Sequence, residues 1–256
     1  MWYADKQVAC LYRAALNSVQ DDSEVFRKMY TAEETVSISQ SDAKNSFDSG
    51  IVLGSGSYGT VKYSSLNGNP IIIKKFETED MALIEYHAHQ AFYKNISDDC
   101  KQYFSKPLQM DLDHNIVYTA QVPLHHDNEI IGTFSSITNM LNNFESCKYV
   151  IISVQNIIKC LNSLSISHGD IKSDNVLVIS RDYPVIRVID FGCAHEKGSC
   201  EENMLSRQFV EMFDYILTPD NIYFMKQALS SIEQNDAFTT DLMKIVDERI
   251  TYEESN

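Results

Sequence analysis

A chain of 256 residues with a formal net charge of −15, 44% of it hydrophobic and 22% charged, has the composition of a folded globular protein, long enough for one large domain or two lobes. The acidic balance excludes binding to a nucleic-acid backbone, which needs a basic footprint. No apolar run approaches the ~20 residues of a membrane helix. Asp5, Lys6 and Arg13 interrupt the first helical-looking stretch, so no cleaved secretory signal is expected. Cys10, Cys100, Cys147, Cys160, Cys193 and Cys200 include no Cys-x-x-Cys pair, the spacing of reduced thiols in a cytosol rather than of a zinc site or a disulfide scaffold. Residues 196–256 hold 13 acidic and 5 basic side chains, a face that repels anions and can steer basic partners, or one that simply aids solubility.

Along the chain, residues 1–46 combine helical apolar spacing at Val8, Leu11, Tyr12, Ala15, Leu16 and Val19 with a polar tract; they predict a helix followed by a linker. From Phe47 the pattern turns to short β-type runs, "IVLG", "GTVKYSSL", the turn "NGNP" and "IIIKKF". A helix capped by Thr78 follows, and then a strand in "NIVYTAQV". The second half is mostly helical. Val150, Val154, Ile157, Ile158, Leu161 and Leu164 form one helical stripe that leads into "ISHGDIKSDNVLV", and "VLVIS", "RDYP" and "VIRVID" predict a strand hairpin ending at Asp190. Helices account for the remainder. The fold class this implies is α+β, with a β-rich first half around one main helix.

Four groups of residues carry chemistry. Gly54, Ser55, Gly56, Ser57, Tyr58, Gly59 and Val61 fit G-x-G-x-x-G-x-V between two strands, where glycines let backbone approach a polyphosphate and Val61 covers a base; a tight hairpin would look the same. Tyr58 at the tip can cap phosphates sterically. Lys74 follows three isoleucines and needs an anionic partner, Lys75 being the rival candidate. Glu85 on the next helix is the carboxylate chosen to pair with it, ahead of Glu79. In the polar loop, Asp170 can accept or orient a hydroxyl proton, Lys172 can neutralise a transferring phosphoryl and Asn175 can bind a metal through its amide oxygen. Asp190, in "DFG", supplies a charged metal ligand.

In order and spacing these parts resemble the protein-kinase superfamily, whose motifs are the glycine loop, strand lysine, helix glutamate, H-R-D-x-K-x-x-N and D-F-G. The resemblance spans roughly residues 50–195. It implies a bilobal kinase-like fold with an N-lobe at about 47–122 and a reduced, mostly helical C-lobe at about 123–256, ATP and Mg²⁺ as cofactors, and Ser/Thr-type protein kinase activity. The implied roles are Asp170 as base, Lys172 on the γ-phosphate, Lys74 on the α/β-phosphates, Glu85 orienting Lys74, and Asn175 with Asp190 on metal.

Departures narrow the expectation. Gly169 stands where many kinases carry the arginine that answers a phosphorylated activation loop, so activity without such phosphorylation is expected. Only 64 residues follow Gly192, with no Ala-Pro-Glu, so the usual substrate-docking platform is expected to be missing. This trimmed layout is similar to the minimal effector kinases that bacterial type III secretion systems deliver into host cells, as are "EYHAHQAFY" and "QVP". That likeness implies a monomer that is secreted into the host cytosol and acts on a host protein, with chaperone or ubiquitin-pathway components among the partners of the group. A cytoplasmic location is the alternative. Two rival functions stand beside it: an aminoglycoside-type small-molecule phosphotransferase, which also favours His-Gly-Asp, and a kinase-fold scaffold that binds a host protein. His87, His89, His125 and His126 lack the spaced partners of a metal site, and Cys193 is expected to be a small buried filler, ahead of a thiol that tunes the nucleotide site by oxidation.

Overall fold

A computed structural model of the chain describes residues 45, 47–56, 59–66, 69–111, 116–120, 130–179, 184–196, 202–233 and 236–255. The helix and linker expected within residues 1–46 lie outside the described residues, Asn45 excepted, as do Ser57, Tyr58, His125 and His126.

Strands β1 (Ile51–Gly56), β2 (Gly59–Leu66), β3 (Asn69–Lys75), β4 (Lys106–Asp111) and β5 (Ile116–Ala120) form one antiparallel sheet in the order β1-β2-β3-β5-β4. Its central strand is β3, and Ile71, Ile72 and Ile73 are buried on both of its faces, as a continuous β-branched run predicts. Helix α1 (Glu79–Asn95) starts where Thr78 Oγ1 accepts a hydrogen bond from the Met81 amide, with Glu79 and Asp80 complementing the helix dipole. Its buried stripe is Ala82, Glu85, Tyr86, His89 and Phe92. A short helix α2 (Asp98–Lys101) then turns the chain into β4.

The second half is organised by α3 (Phe144–Asn162), capped by Asn143 Oδ1 on the Ser146 amide. All six residues of the expected stripe are buried, Leu164 lying just beyond the helix end, in one cluster with Phe92, Phe104, Phe191 and the inner faces of α4 (Glu202–Ile216), α5 (Ile222–Ser231) and α6 (Ala237–Ser255). A three-stranded sheet, order β6-β8-β9, joins β6 (Ile130–Thr133), β8 (Val176–Ile179) and β9 (Val185–Val188), and the two-residue strands β7 (Ile166–Ser167) and β10 (His195–Glu196) pair antiparallel. Backbone bonds from Val188 N to Tyr103 O and from Ser105 N to Val188 O tie β9 to the chain entering β4. The chain is therefore mixed α+β.

Two expectations need correction. Cys100 on α2 and Cys160 on α3 are joined in a disulfide, Cα atoms 5.8 Å apart and 60 residues apart in sequence, so these two are not reduced thiols; chain folding, invisible in Cys spacing, brings them together. Cys147 and Cys193 are free; Cys147 is buried, whereas Cys193, expected to be buried, is half-buried. The strand expected to end at Asp190 ends at Val188, because Asp190 turns into the left-handed region with φ 66°, which no strand can continue.

Candidate functional site

The sheet, α1 and the segment after β9 converge on Lys74. Its Nζ lies 2.6 Å from Glu85 Oε2 and 2.8 Å from Asp190 Oδ1, and both Lys74 (8% exposed) and Glu85 (4%) are buried. This separates the candidates left open by the sequence: Lys75 is exposed and sits over the Phe47 ring, and Glu79 is exposed in the first turn of α1. Burial alone pulls the Lys74 ammonium down, but the fields and hydrogen bonds of Glu85 and Asp190 outweigh it and hold the group above its ordinary value. Burial pushes the Glu85 carboxyl up against the opposing pull of Lys74. Burial also acts to raise Asp190, yet Lys74 keeps it below the usual carboxylate range, helped by His168 and the Gly192 amide. Asp190 is the one non-glycine residue with positive φ among the described residues, a conformation that costs on the order of 1 kcal/mol or more and persists only where surroundings fix it.

The polar loop supplies the second cluster. Asp170 Oδ2 accepts from Lys172 Nζ at 2.6 Å and from Asn175 Nδ2 at 2.9 Å, and the same amide nitrogen reaches the Asp170 carbonyl at 2.8 Å. Burial lowers the Lys172 ammonium, but its hydrogen bond and charge pairing with Asp170 more than restore it. The Asn175 amide nitrogen is committed to Asp170, so its oxygen is the atom left for a cation. Asn175 also accepts the Ile189 amide on its main-chain oxygen at 2.9 Å, which sets the loop beside Asp190. Among the described residues no group of three or more His, Cys, Asp or Glu side chains surrounds one point. Asn175 and Asp190 carry amide and carboxylate oxygens, the hard donor type that Mg²⁺ takes beside water. Asp174 takes no part in these contacts.

In the glycine loop, Gly54 and Gly56 lie on β1 and Gly59 opens β2. Gly59 has φ +120°, and a Cβ there would fall 1.9 Å from the Lys75 carbonyl oxygen, so the position requires glycine. Ser55 Oγ lies 3.3 Å from Thr60 Oγ1. Val61, Tyr63 and Ile189 pack against Ile72 and Leu177, an apolar group drawn from both halves of the chain.

Sequence reasoning missed the ring cluster that holds Asp190 in place. Phe191, fully buried, stacks on His89 at 4.1 Å and 16° and meets Phe92 and His168 at 4.7 and 4.9 Å between centroids. His89 lies one turn after Glu85, so its i+4 spacing was the available signal. It donates Nε2–H to the Ser105 carbonyl at 2.7 Å, its Nδ1 is buried without a partner, and burial pushes it down to about 3. It is thus a neutral core histidine and no metal ligand. His168 donates Nε2–H to the Ile189 carbonyl and accepts the Asp170 amide on Nδ1, contacts that select one neutral tautomer; burial keeps it below its ordinary value.

No protein-family model and no curated protein matches the chain.

Proposed function

We propose that the chain is an ATP- and Mg²⁺-dependent protein kinase of the Ser/Thr type, with a bilobal kinase-like fold whose helical lobe is reduced. The observation that carries this reading is the bridge of Lys74 to both Glu85 and Asp190, 11 and 116 residues away, beside a loop that joins Asp170, Lys172 and Asn175 in one hydrogen-bonded set. In this reading Lys74, fixed by Glu85, holds the α- and β-phosphates. Asp170 orients the substrate hydroxyl and takes its proton, while Lys172 neutralises charge on the transferring group. Asn175 and Asp190 would hold Mg²⁺, which when bound offsets negative charge on the phosphates. The glycine strand pair covers the polyphosphate, and Val61, Leu177 and Ile189 flank the base. Phosphoryl transfer asks mainly for positioning and charge neutralisation, and a pre-formed, largely buried charge cluster is suited to both.

The order of the motifs and the likeness of "EYHAHQAFY" and "QVP" to the minimal effector kinases support a further reading: a bacterial effector, secreted into a host cell, monomeric, and acting on a host protein. Incubating labelled ATP with host-cell lysate and either the wild-type chain or Asp170→Ala, followed by phosphosite mapping, tests the function. Serine and threonine sites that appear with wild type alone are expected. ATP turnover stimulated by small alcohols or aminoglycosides, without protein labelling, would overturn it in favour of a small-molecule phosphotransferase. A cellular effect retained by Asp170→Ala would indicate a scaffold.

A further inference from the structure

The chain on either side of Asp190 is fastened to the loop that carries Asp170. Ahead of Asp190, the Ile189 carbonyl accepts from His168 Nε2 at 3.0 Å and the Ile189 amide donates to Asn175 O at 2.9 Å. Beyond it, Ala194 N donates to Phe191 O at 3.0 Å, closing a turn that presents the Cys193 carbonyl to Gly169. Gly169 has φ +79°, and a Cβ on it would lie 2.1 Å from Cys193 O, 3.0 Å from Cys193 C and 3.0 Å from His195 Nδ1. Two of those three atoms are backbone, so a larger residue at 169 cannot be accommodated by a side-chain turn. The same carbonyl accepts from His195 Nδ1–H at 2.9 Å, a carbonyl being able only to accept. His195 and Glu196 then pair with Ser167 and Ile166. Asp190, held in a left-handed conformation, is bracketed by these contacts.

We propose that Gly169, Cys193 O and His195 form a clamp that fixes the segment after Asp190 on the Asp170 loop, with Gly169 and His195 as positioning residues. In a kinase, the reading on which the catalytic half of this inference rests, the clamp keeps the metal-binding carboxylate and the base in register with no covalent modification. The absence of a side chain at position 169 is then itself the device: the space that a side chain would fill is taken by backbone of the segment to be held.

Gly169→Ala tests this in the full chain, with folding checked by circular dichroism. Amide exchange at residues 193–196 should accelerate at least tenfold. The Mg²⁺ concentration for half-maximal phosphate transfer should rise, and kcat should fall on the order of 10²-fold while KM for ATP stays close to wild type. His195→Ala should show the same pattern to a smaller degree, and His195→Asn, whose amide can donate to Cys193 O, should recover most of the loss. Should Gly169→Ala fail to fold, the two His195 variants decide the matter by the same readouts. Unchanged exchange at 193–196 together with unchanged Mg²⁺ dependence would overturn the clamp. A wild-type chain that transfers no phosphate would defeat the kinase reading alone, since amide exchange still decides whether the clamp exists.

Discussion

Replacing Lys74 by methionine removes the cation that two carboxylates share. Its ammonium lies 2.6 Å from Glu85 Oε2 and 2.8 Å from Asp190 Oδ1, and Glu85 is 4% exposed. Methionine fills similar space but leaves the negative charge without a partner, a loss of about 3–5 kcal/mol for a broken buried pair. Asp190 can escape part of that loss by taking a proton of its own, because Lys74 is what holds it low against its burial. A carboxyl whose folded pKa rises above its unfolded value binds more protons in the native state, so stability falls as pH climbs between the two values. Each pH unit over which one extra proton is held changes stability by about 1.4 kcal/mol. Lys74→Met should therefore lose about 3–5 kcal/mol at pH 7.5 and on the order of 1 kcal/mol at pH 5, where the proton is already bound. Urea unfolding followed by circular dichroism at both pH values measures the difference. An equal penalty at the two values would refute the reasoning, because it would mean that Lys74 stabilises by packing and not by charge.

Burial raises Glu85 from 4.5 to about 7 against the pull of Lys74, so phosphate transfer should decline on an acidic limb near pH 7 as Glu85 takes a proton and releases Lys74. Glu85→Gln should be slow throughout and lack that limb, and a limb that survives the substitution would assign it to another group. The same shift has the opposite consequence for folding: the native state holds the Glu85 proton more tightly, so the contribution of this group to stability falls as pH rises from 4.5 to about 7. The Cys100–Cys160 bridge spans 60 residues, so Cys100→Ser combined with Cys160→Ser should lower stability by about 2–4 kcal/mol; equal urea midpoints with and without a dithiol reductant would contradict this. With Gly169 in place of an arginine, phosphatase-treated chain should retain its transfer activity, and strict dependence on an upstream kinase would refute that.

The parts of the site legible in the sequence are those with a local signature. The Thr78 cap, the isoleucine run before Lys74 and the stripe of α3 each announce themselves within one element, and the spacing of Asp170, Lys172 and Asn175 places them on one turn. Glu85 was reached as the carboxylate on the helix after Lys74, and its burial among Ala82, Tyr86, His89 and Phe92 is tolerable because the Lys74 cation meets it there. What stayed hidden depends on distant chain. Strand β4 begins Lys106-Pro107 and sits at the sheet edge, where proline is tolerated but strand patterning is weak. Strands β7 and β10 have two residues each, too few for any period to appear. The Cys100–Cys160 bridge and the stacking of His89 on Phe191 join elements far apart in sequence; spacing puts His89 on the Glu85 face of its helix but cannot name the distant partner in either case.

In the proposed reaction the Lys74–Glu85–Asp190 cluster and the Asp170 loop together move a phosphoryl group from ATP. Purified chain mixed with heat-inactivated host-cell lysate, γ-labelled ATP and Mg²⁺, beside Lys74→Met, Asp170→Ala and Asp190→Ala, tests this. Labelled protein should form with the wild-type chain, depend on Mg²⁺, and drop by about 10²-fold or more in each folded variant. Labelling that is absent from the wild type, or that persists undiminished in the Asp170 and Asp190 variants, would contradict the account.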